Sequence, residues 1–599
     1  MKTLVSSLAL SLVLASGPAH AGAPAYLAAS ASGFVRAQGQ SAVRWETWNA
    51  ATLARAQKEN KPVYVFIGSS LSELSRATCQ QSFANADSAA FLNAHFVCVL
   101  VDREEQPAIA ASARLYLQTM KQSDGWPIHL WLTPELQPYE GAGYLPPSEE
   151  WGRSGFSMVA RQAGEAWSAD AKACRGHAAE AVSMMALRGS DPLPQPTPAQ
   201  LKEKLAQSVA AWRSTFDAKN GGFGTVPKAL EPELLRFLLQ QAPEDRTMAV
   251  TTLQAIVNGA TRDPLDGGFF RYSSEPAWRI PYMQKTLADQ ARMTLALLDA
   301  AKVTGDATFA RHARTALDFA LQRLALPEGG FAAAEDATTP EALGYFVWTA
   351  AELDAALGAE AAAFKTAYGV AADGNLPADE DPSGTYRGKN ILYRATPPGT
   401  AAAESKLAAA CGKLRAVRDH RHPPALSEQA PAGAHGLLLA ALARAAEQLK
   451  DPAYQTAAGN LFDFVQKQLV LSPAGDLRRL RGSSAAAAPV DYAALALGSR
   501  ELGRVAQRPD ADAFATKLLA RAGSLFFDPA QGCYLAAPVP LPTGLFFRAP
   551  AFGGPPDAEP LALLAGAPAG QAALLINALS TQLGNGSSAP GEVLLALGR

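Results

Sequence analysis

Apolar residues along this chain follow two different rhythms. Near the N-terminus they gather into short continuous runs, Val63-Tyr64-Val65-Phe66-Ile67 behind Lys61-Pro62 and Phe96-Val97-Cys98-Val99-Leu100-Val101, with the length and β-rich content of buried strands. Around them apolar positions recur at helical spacing. The predicted order is helix 50–59, strand 63–67, a loop, helix 75–83, helix 86–93, strand 96–101, helix 108–120 and strand 128–132. Strands and helices alternating in this way predict a layered α/β sandwich over 45–188. Further on the pattern is helical, over 200–218, 231–241, 245–258, 287–303, 306–324, 436–448 and 452–469. Short connectors between paired helices predict antiparallel hairpins.

The segment 189–198, Gly-Ser-Asp-Pro-Leu-Pro-Gln-Pro-Thr-Pro, carries four prolines and is read as a semi-rigid linker, which assigns 199–599 to the helical domain. Residues 22–44 are small, polar and alanine-rich, and predict a flexible lead. Gly-Gly-Phe recurs at Gly221, Gly267 and Gly329, with Gly532-Cys533-Tyr534 as a weaker echo, each after a helical segment. Paired glycines let the chain leave a helix through positive φ while the phenylalanine returns to the core, so these loops are expected together at one end of the helical domain.

Composition removes several classes of function. Apolar content of 48%, charged content of 18% and a formal net charge of −2, with no basic patch, predict a soluble globular protein and argue against nucleic acid as a partner. Residues 1–21 carry Lys2, an apolar run over 8–15 and Ala19-His20-Ala21, the pattern of a secretory signal cleaved after Ala21; a bacterial periplasm is the expected location. That run is too short to span a bilayer, and no other stretch approaches the roughly 18 uninterrupted apolar residues of a stable membrane anchor. The five cysteines, at 79, 98, 174, 411 and 533, leave at least one unpaired within a monomer, and Cys98 reads as a small core residue on a strand. Asp419-His420-Arg421-His422 is the one local histidine cluster and reads as a solvated loop; no H-E-x-x-H, G-x-S-x-G or phosphate loop is present, so no metal or cofactor is expected.

Residues 67–83, I-G-S-S-L-S-E-L-S-R-A-T-C-Q-Q-S-F, leave a buried strand and open a helix. The stretch resembles a thioredoxin active-site loop with Ser72 and Ser75 where two cysteines would stand, and Pro127 falls where thioredoxin-like domains hold a cis-proline beside that loop. Thiol–disulfide exchange needs an attacking thiolate and a second sulfur to resolve the mixed disulfide. A serine hydroxyl supplies neither, so the loop is expected to be redox-inactive. Cys79 lies about two helical turns beyond Ser72 and reads as structural; thiol oxidoreductase activity through it is the weaker alternative.

Wider blocks carry a resemblance across nearly the whole chain. Trp45 and Trp48, K-E-N-K-P from Lys58, V-D-R-E-E from Val101, G-W-P from Gly125 and L-T-P from Leu132 are followed by G-G-F-G-T-V-P-K from Gly221, G-G-F-F-R-Y-S from Gly267, F-V-W-T from Phe346, G-K-N-I-L from Gly388 and D-Y-A from Asp491. The chain resembles the spermatogenesis-associated thioredoxin-like family. That resemblance implies a multidomain fold, an N-terminal α/β thioredoxin-like sandwich followed by an all-α six-hairpin (α/α)6 toroid whose mouth holds a sugar-sized cleft.

Glycoside hydrolysis needs two carboxylates facing one bond. The candidates are Asp266, Asp289, Glu335, Asp336, Glu428 and Asp491, with Asp266, Asp289 and Asp336 the first to test as catalytic; for each the alternative is a helix cap or an ion-pair partner for Arg271, Lys285 or Lys389. Tyr272, Trp278, Tyr282 and Trp348, with Gln284 and Lys285, are the expected binding residues around a sugar platform. Where the family has histidines and a glutamate in its H-R-Y-S and P-H-F-E-K blocks, this chain has Phe270, Tyr282 and Gln284, and the family's D-D-K and W-N-G are represented by Ser427-Glu428-Gln429 and Ala434-His435-Gly436. Loss of titrating groups at these positions favours a binding or scaffold protein, with a carbohydrate or a protein client as partner, over a carbohydrate-active enzyme.

Overall fold

The computed structural model describes residues 25–551 except 123–124, 151, 191–195, 377–380, 382–383 and 398, together with 576, 580, 583 and 591–597. The expected signal segment 1–21 and half of the proline-rich linker lie outside the described residues.

The N-terminal domain is built on a mixed sheet of five strands, β1 (Glu46–Thr47), β2 (Val63–Gly68), β3 (Val97–Asp102), β4 (Ile128–Leu132) and β5 (Pro138–Ala142), in the spatial order β1-β3-β2-β4-β5. β2 runs parallel to β3 and antiparallel to β4. Every residue of β2, β3 and β4 is buried, which explains why they read as unbroken apolar runs. Helices cover both faces: Ala50–Lys58, Pro107–Thr119 and Ala171–Ser190 on one side, Ala86–His95 and Phe156–Ala169 on the other.

Residues 25–44 are not a flexible lead. Helices Ala25–Ala28 and Gly33–Ala37 fold onto the sheet, because the few apolar residues among the alanines (Leu27, Phe34, Val35 and Val43) are all buried around Trp45 and Phe66. Composition described the surface of this segment and missed its anchors.

Helices of the second domain fall into two rings. Pro198–Ser214, Pro243–Asn258, Ala307–Arg323, Pro452–Gln468 and Pro509–Phe526 bury one stripe and expose the other, as outer helices do. Leu287–Thr304, Ala432–Gln448 and Pro489–Ala506 are buried nearly all round and form the inner ring with Pro232–Leu238 and Gly591–Leu597, the first and last of which pack together and close it. Residues 337–428 insert between two hairpins and carry helices Ala350–Leu357 and Ala401–Arg418 over apolar clusters of their own.

After outer helices the chain reverses through the Gly-Gly-Phe turns. Bridges Phe216–Phe223, Arg262–Phe269 and Ala325–Phe331 close them, and Val470–Leu477 is a further copy without the motif. Each turn delivers the chain to the N-terminal end of an inner helix, so all of them sit at one mouth. Gly267 needs its φ of +86° to make the reversal.

Inner helices Ala432–Gln448 and Pro489–Ala506 approach closely at Gly436 and Gly498. A Cβ at Gly436 would fall inside the Ala494–Leu495 backbone, and one at Gly498 would strike the Gly436 carbonyl. Gly436→Ala is therefore expected to cost about 1–3 kcal/mol by forcing the helices apart. A urea midpoint equal to that of the parent would show that this packing yields freely.

Toroid and sandwich also grip each other away from the mouth. Thr543 O accepts from Trp48 Nε1 at 2.9 Å, Ser112 Oγ donates to Phe547 O, and Leu545, Phe546 and Phe547 pack on the sandwich core.

Candidate functional site

At the end of β2 the chain turns through Ser69–Ser72 into the short helix Glu73–Ala77. Ser72 Oγ accepts from Ser75 N at 3.2 Å and caps that helix, while the buried Ser75 Oγ accepts from Ser69 N at 3.3 Å. Both hydroxyls thus serve the local backbone. The Trp126–Pro127 peptide is cis, and the Arg103 guanidinium lies 5.0 Å from the Trp126 ring. Cys79 sits in a widened turn, Thr78–Ser82, where burial pushes its thiol up to about 12. All five cysteines lie among the described residues and are free thiols.

The serine loop docks on the toroid. Leu71 O accepts from Gln284 Nε2 at 3.3 Å, Arg76 Nη1 donates to Asp336 Oδ2 at 2.9 Å, and Arg76 Nη2 donates to Thr338 Oγ1. From the end of β3, the buried Asp102 Oδ2 accepts from Ser32 Oγ at 2.6 Å and from Gln429 Nε2 at 2.7 Å, and Arg479 Nε donates to Glu104 O at 3.0 Å. Burial, reinforced by the Glu104 charge, raises Asp102 to about 6. The Glu104 carboxyl is half-buried, and although desolvation opposes its ionisation, Arg103 and Arg479 outweigh that and hold it below the usual range.

A cavity of about 100 Å³ remains beneath this contact. The sandwich contributes Leu71, Arg103 and Glu104; the toroid contributes Arg271, Asp289, Arg292, Gln429 and Arg479, with apolar surface from Leu437 and Leu480. Three inner helices present their N-terminal turns to it, at Thr286–Asp289, Gly433–Leu437 and Val490. Asp289 Oδ2 accepts from Thr286 Oγ1 at 2.7 Å and lies 3.7 Å from Arg271 Nε. At the opposite mouth, a wider space of about 910 Å³ is crossed by ion pairs, among them Arg444–Glu501 and Arg504–Glu447, each at 2.7 Å.

Strand alternation sorts the residues expected at the site. Strand Gln284–Thr286 pairs with Ala334–Asp336, Gln284 opposite Asp336 and Lys285 opposite Glu335. Gln284 and Asp336 therefore reach the serine loop, whereas Lys285 and Glu335 project to the other face, into the interior. There Lys285 Nζ donates to Asp263 at 2.9 Å and to Asp266 at 2.8 Å, and Arg418 closes the cluster with bonds of 2.7 Å to Asp263 and 2.8 Å to Asp266. Asp266, expected as catalytic, and Lys285, expected as a binding residue, are instead spent on this buried ion cluster.

Asp336, also expected as catalytic, holds the docked loop: Oδ2 accepts from Arg76 and Oδ1 from Thr338 N at 3.0 Å. Trp278 is not a sugar platform. It is buried against Gly222 and Gly259, with Nε1 donating to Asn220 O at 3.0 Å. Trp348 is likewise fully buried, and Arg421 covers it at 3.8 Å while donating to Gly344 O and Val347 O, which folds the expected solvated loop back at that residue. Asp491 is buried and caps its own helix through Ala488 N and the next one through Gly433 N, both at 2.8 Å; Glu428 is exposed.

Of the expected set, Gln284 and Asp336 hold the docked loop, in which Ser72 caps the short helix, and Asp289 alone of the three catalytic candidates lines the cavity. Tyr272 and Tyr282 stack at 4.7 Å, half-buried, near enough to Glu73 that its charge adds to burial in raising Tyr282. Sequence reasoning missed Arg76, Arg103, Glu104, Gln429 and Arg479. The signal for two of them was present in the V-D-R-E-E block, and Gln429 stood in a triplet read as eroded.

This architecture is a thioredoxin-like α/β domain set against the mouth of an α/α toroid built of an inner and an outer ring of helices. Residues 24–186 match the DsbH thioredoxin-like family, described as a protein of unknown function, DUF255. Spermatogenesis-associated protein 20 of mouse is 28% identical over 84% of this chain and 70% of its own length, and the human protein is 28% identical at the same coverage. An uncharacterised protein of Caenorhabditis elegans is 26% identical over 73% of this chain and 64% of its own length. Among solved structures, a cellobiose 2-epimerase from Bacillus thermoamylovorans aligns at 9% identity and a TM-score of 0.36, over 57% of this chain and 76% of the epimerase. An α-mannanase from Bacteroides thetaiotaomicron aligns at 10% identity and a TM-score of 0.38, over 66% and 94% of the two chains.

Proposed function

We propose that this protein is an exported binding protein in which a redox-inactive thioredoxin-like domain caps the toroid mouth. One observation carries the reading: the loop that would hold two sulfurs holds Ser72 and Ser75, and its flanks, Leu71 and Arg76, are bonded to the toroid. A loop so engaged has neither the chemistry nor the approach route for a protein disulfide. The wild-type protein is expected to reduce insulin no faster than the uncatalysed background. Ser72→Cys/Ser75→Cys is expected to form a disulfide that dithiothreitol reduces but to leave insulin reduction at background. A wild-type rate that falls on substitution of Ser72 or Ser75 would overturn the reading. Export rests on residues 1–21, and N-terminal sequencing of periplasmic protein beginning at Gly22 is the expected result.

A second reading, carbohydrate-active catalysis, is favoured by Asp289, a carboxylate on the cavity wall across which Glu104 also stands. Turnover of any member of a panel of glycans and aryl glycosides, abolished in Asp289→Ala, would select it over the binding protein.

A further inference from the structure

We propose that the crevice around Glu73, where the sandwich meets the rim of the toroid, binds a guanidinium group of the kind carried by arginine. The inference deepens the binding-protein reading above and rests on it.

Three parts of the chain supply the site. The sandwich gives Glu73, on the short helix that follows Ser72, and Tyr144, just beyond β5; the toroid gives Tyr272 and Tyr282, and the inserted segment 337–428 gives Tyr386. Bonds from Leu71 to Gln284 and from Arg76 to Asp336 hold Glu73 at this junction. Glu73 is exposed, and its carboxylate makes no hydrogen bond or ion pair among the described residues. Protein nevertheless stands close around it: desolvation lifts its carboxyl above the usual range, and its charge adds to burial in raising all four phenols. None of the four hydroxyls has a protein partner among the described residues and none is sealed from solvent, so a carboxylate and four phenolic oxygens are open to a ligand arriving from outside.

Charge and shape narrow the class. The largest charges acting on these rings are Glu73, Asp336, Asp381 and Glu150 against Arg76, Arg271 and Arg153. Arg76 is spent on Asp336 at 2.9 Å, Arg271 lies 3.7 Å from Asp289, Glu150 and Arg153 are bridged through their backbones, and Asp381 accepts from Thr385 N at 2.9 Å and Tyr386 N at 2.8 Å. Glu73 is left as the carboxylate without a counter-charge, and the surroundings carry a net negative charge, which selects a cation over an anion. Tyr272 and Tyr282 stack with their rings 13° from parallel. A guanidinium is planar, so its face can extend that stack while its fork of N–H donors meets Glu73 and the phenolic oxygens. A quaternary ammonium offers no N–H to these acceptors, and a neutral sugar offers no charge to Glu73.

Isothermal titration of the full-length protein with L-arginine and the end-capped peptide Gly-Arg-Gly, against end-capped Gly-Lys-Gly, choline and D-glucose, tests this. One equivalent of L-arginine or of Gly-Arg-Gly is expected to bind saturably and at least tenfold tighter than the other three. Tighter binding of the peptide assigns the group to a protein client, and tighter binding of L-arginine assigns it to the free amino acid. Glu73→Gln keeps the size of a side chain that bonds nothing and removes its charge; it is expected to weaken binding at least tenfold. Tyr282→Leu, which breaks the stack, is expected to weaken it at least threefold, in both variants with the circular dichroism spectrum unchanged. Absence of saturable binding by either arginine ligand, binding of the lysine peptide, choline or glucose within tenfold of them, or a loss in either variant short of that expected would overturn the proposal. Insulin reduction reads the capping domain separately, so failure of one reading is distinguishable from failure of the other.

Discussion

Arg418→Ala is expected to destabilise the protein by about 3–5 kcal/mol, because it leaves two buried carboxylates facing a single ammonium group. Arg418 Nη1 and Nη2 reach Asp263 and Asp266, each of whose side chains is at most 4% exposed. Lys285 Nζ bonds the same pair and lies 4.0 Å from Glu335, whose other oxygen accepts from Arg323 at 2.7 Å. Burial opposes ionisation of Asp263, yet Arg418 and Lys285 prevail and hold it far below the usual carboxylate range; burial and the Asp266 charge push Glu335 the other way. Such a cluster is not favourable as a whole relative to an apolar core, but removing one member exposes the full desolvation cost of those that remain. Lys285→Met should therefore approach the cost of Arg418→Ala, since it also strips three aromatic rings, Phe270, Phe319 and Phe346, of a cation within 5 Å. Pairing Lys285→Met with Asp266→Asn should recover part of the loss, with an interaction energy above about 0.5 kcal/mol in a double-mutant cycle. Additive losses, or a urea midpoint for Arg418→Ala equal to that of the parent, would show that these carboxylates are protonated in the native protein and need no counter-charge.

The same cluster explains what sequence could and could not disclose about the site. Strands of the sandwich were legible because burial on both faces leaves an unbroken apolar run, and outer helices were legible because one wet face imposes a 3.6-residue period. β5 was not, because Pro138-Tyr139-Glu140-Gly141-Ala142 has little strand propensity and is placed by pairing with β4. At the mouth, the block around Gln284 and Lys285 marked the right place, but consecutive residues on a strand point to opposite faces, and only pairing with Ala334–Asp336 shows which face meets the other domain. Asp266 and Asp289 look alike in sequence. Tertiary structure gives one to Lys285 and Arg418 and the other to the cavity wall. Arg76, Arg103 and Gln429 were invisible as site residues because their significance lies in contact across two domains far apart in the chain, a juxtaposition that no local period encodes.

Burial of titrating groups in both domains also makes stability sensitive to acid, with opposing contributions whose sizes decide the outcome. His129, His312 and His435 are held neutral by burial, which lowers them from 6.5 to about 3, 2 and 4 respectively. A base depressed in the folded state contributes stability that is complete above its unfolded value near 6.5 and is lost as pH falls toward the folded value, because the unfolded chain binds the proton first. At about 1.4 kcal/mol per unit, the shift of His129 alone represents on the order of 5 kcal/mol across that window. Asp102 acts in the other sense: raised from 3.8 to about 6, it gives stability that is complete below about pH 4 and is lost as pH rises through 6. That is about two units on one group against larger combined shifts on three, so the histidines dominate. The melting temperature is expected to fall steadily from pH 7 to pH 4.5. His129→Phe should lower it at pH 8, since Tyr64 OH loses its 2.7 Å partner, and should flatten the acid limb because one of the three protonation penalties is gone. A profile level between pH 7 and 4.5, or an acid limb equally steep in His129→Phe, would mean that the interior accepts imidazolium without cost and that the rings on β4, on outer helix Ala307–Arg323 and on inner helix Ala432–Gln448 are open to water.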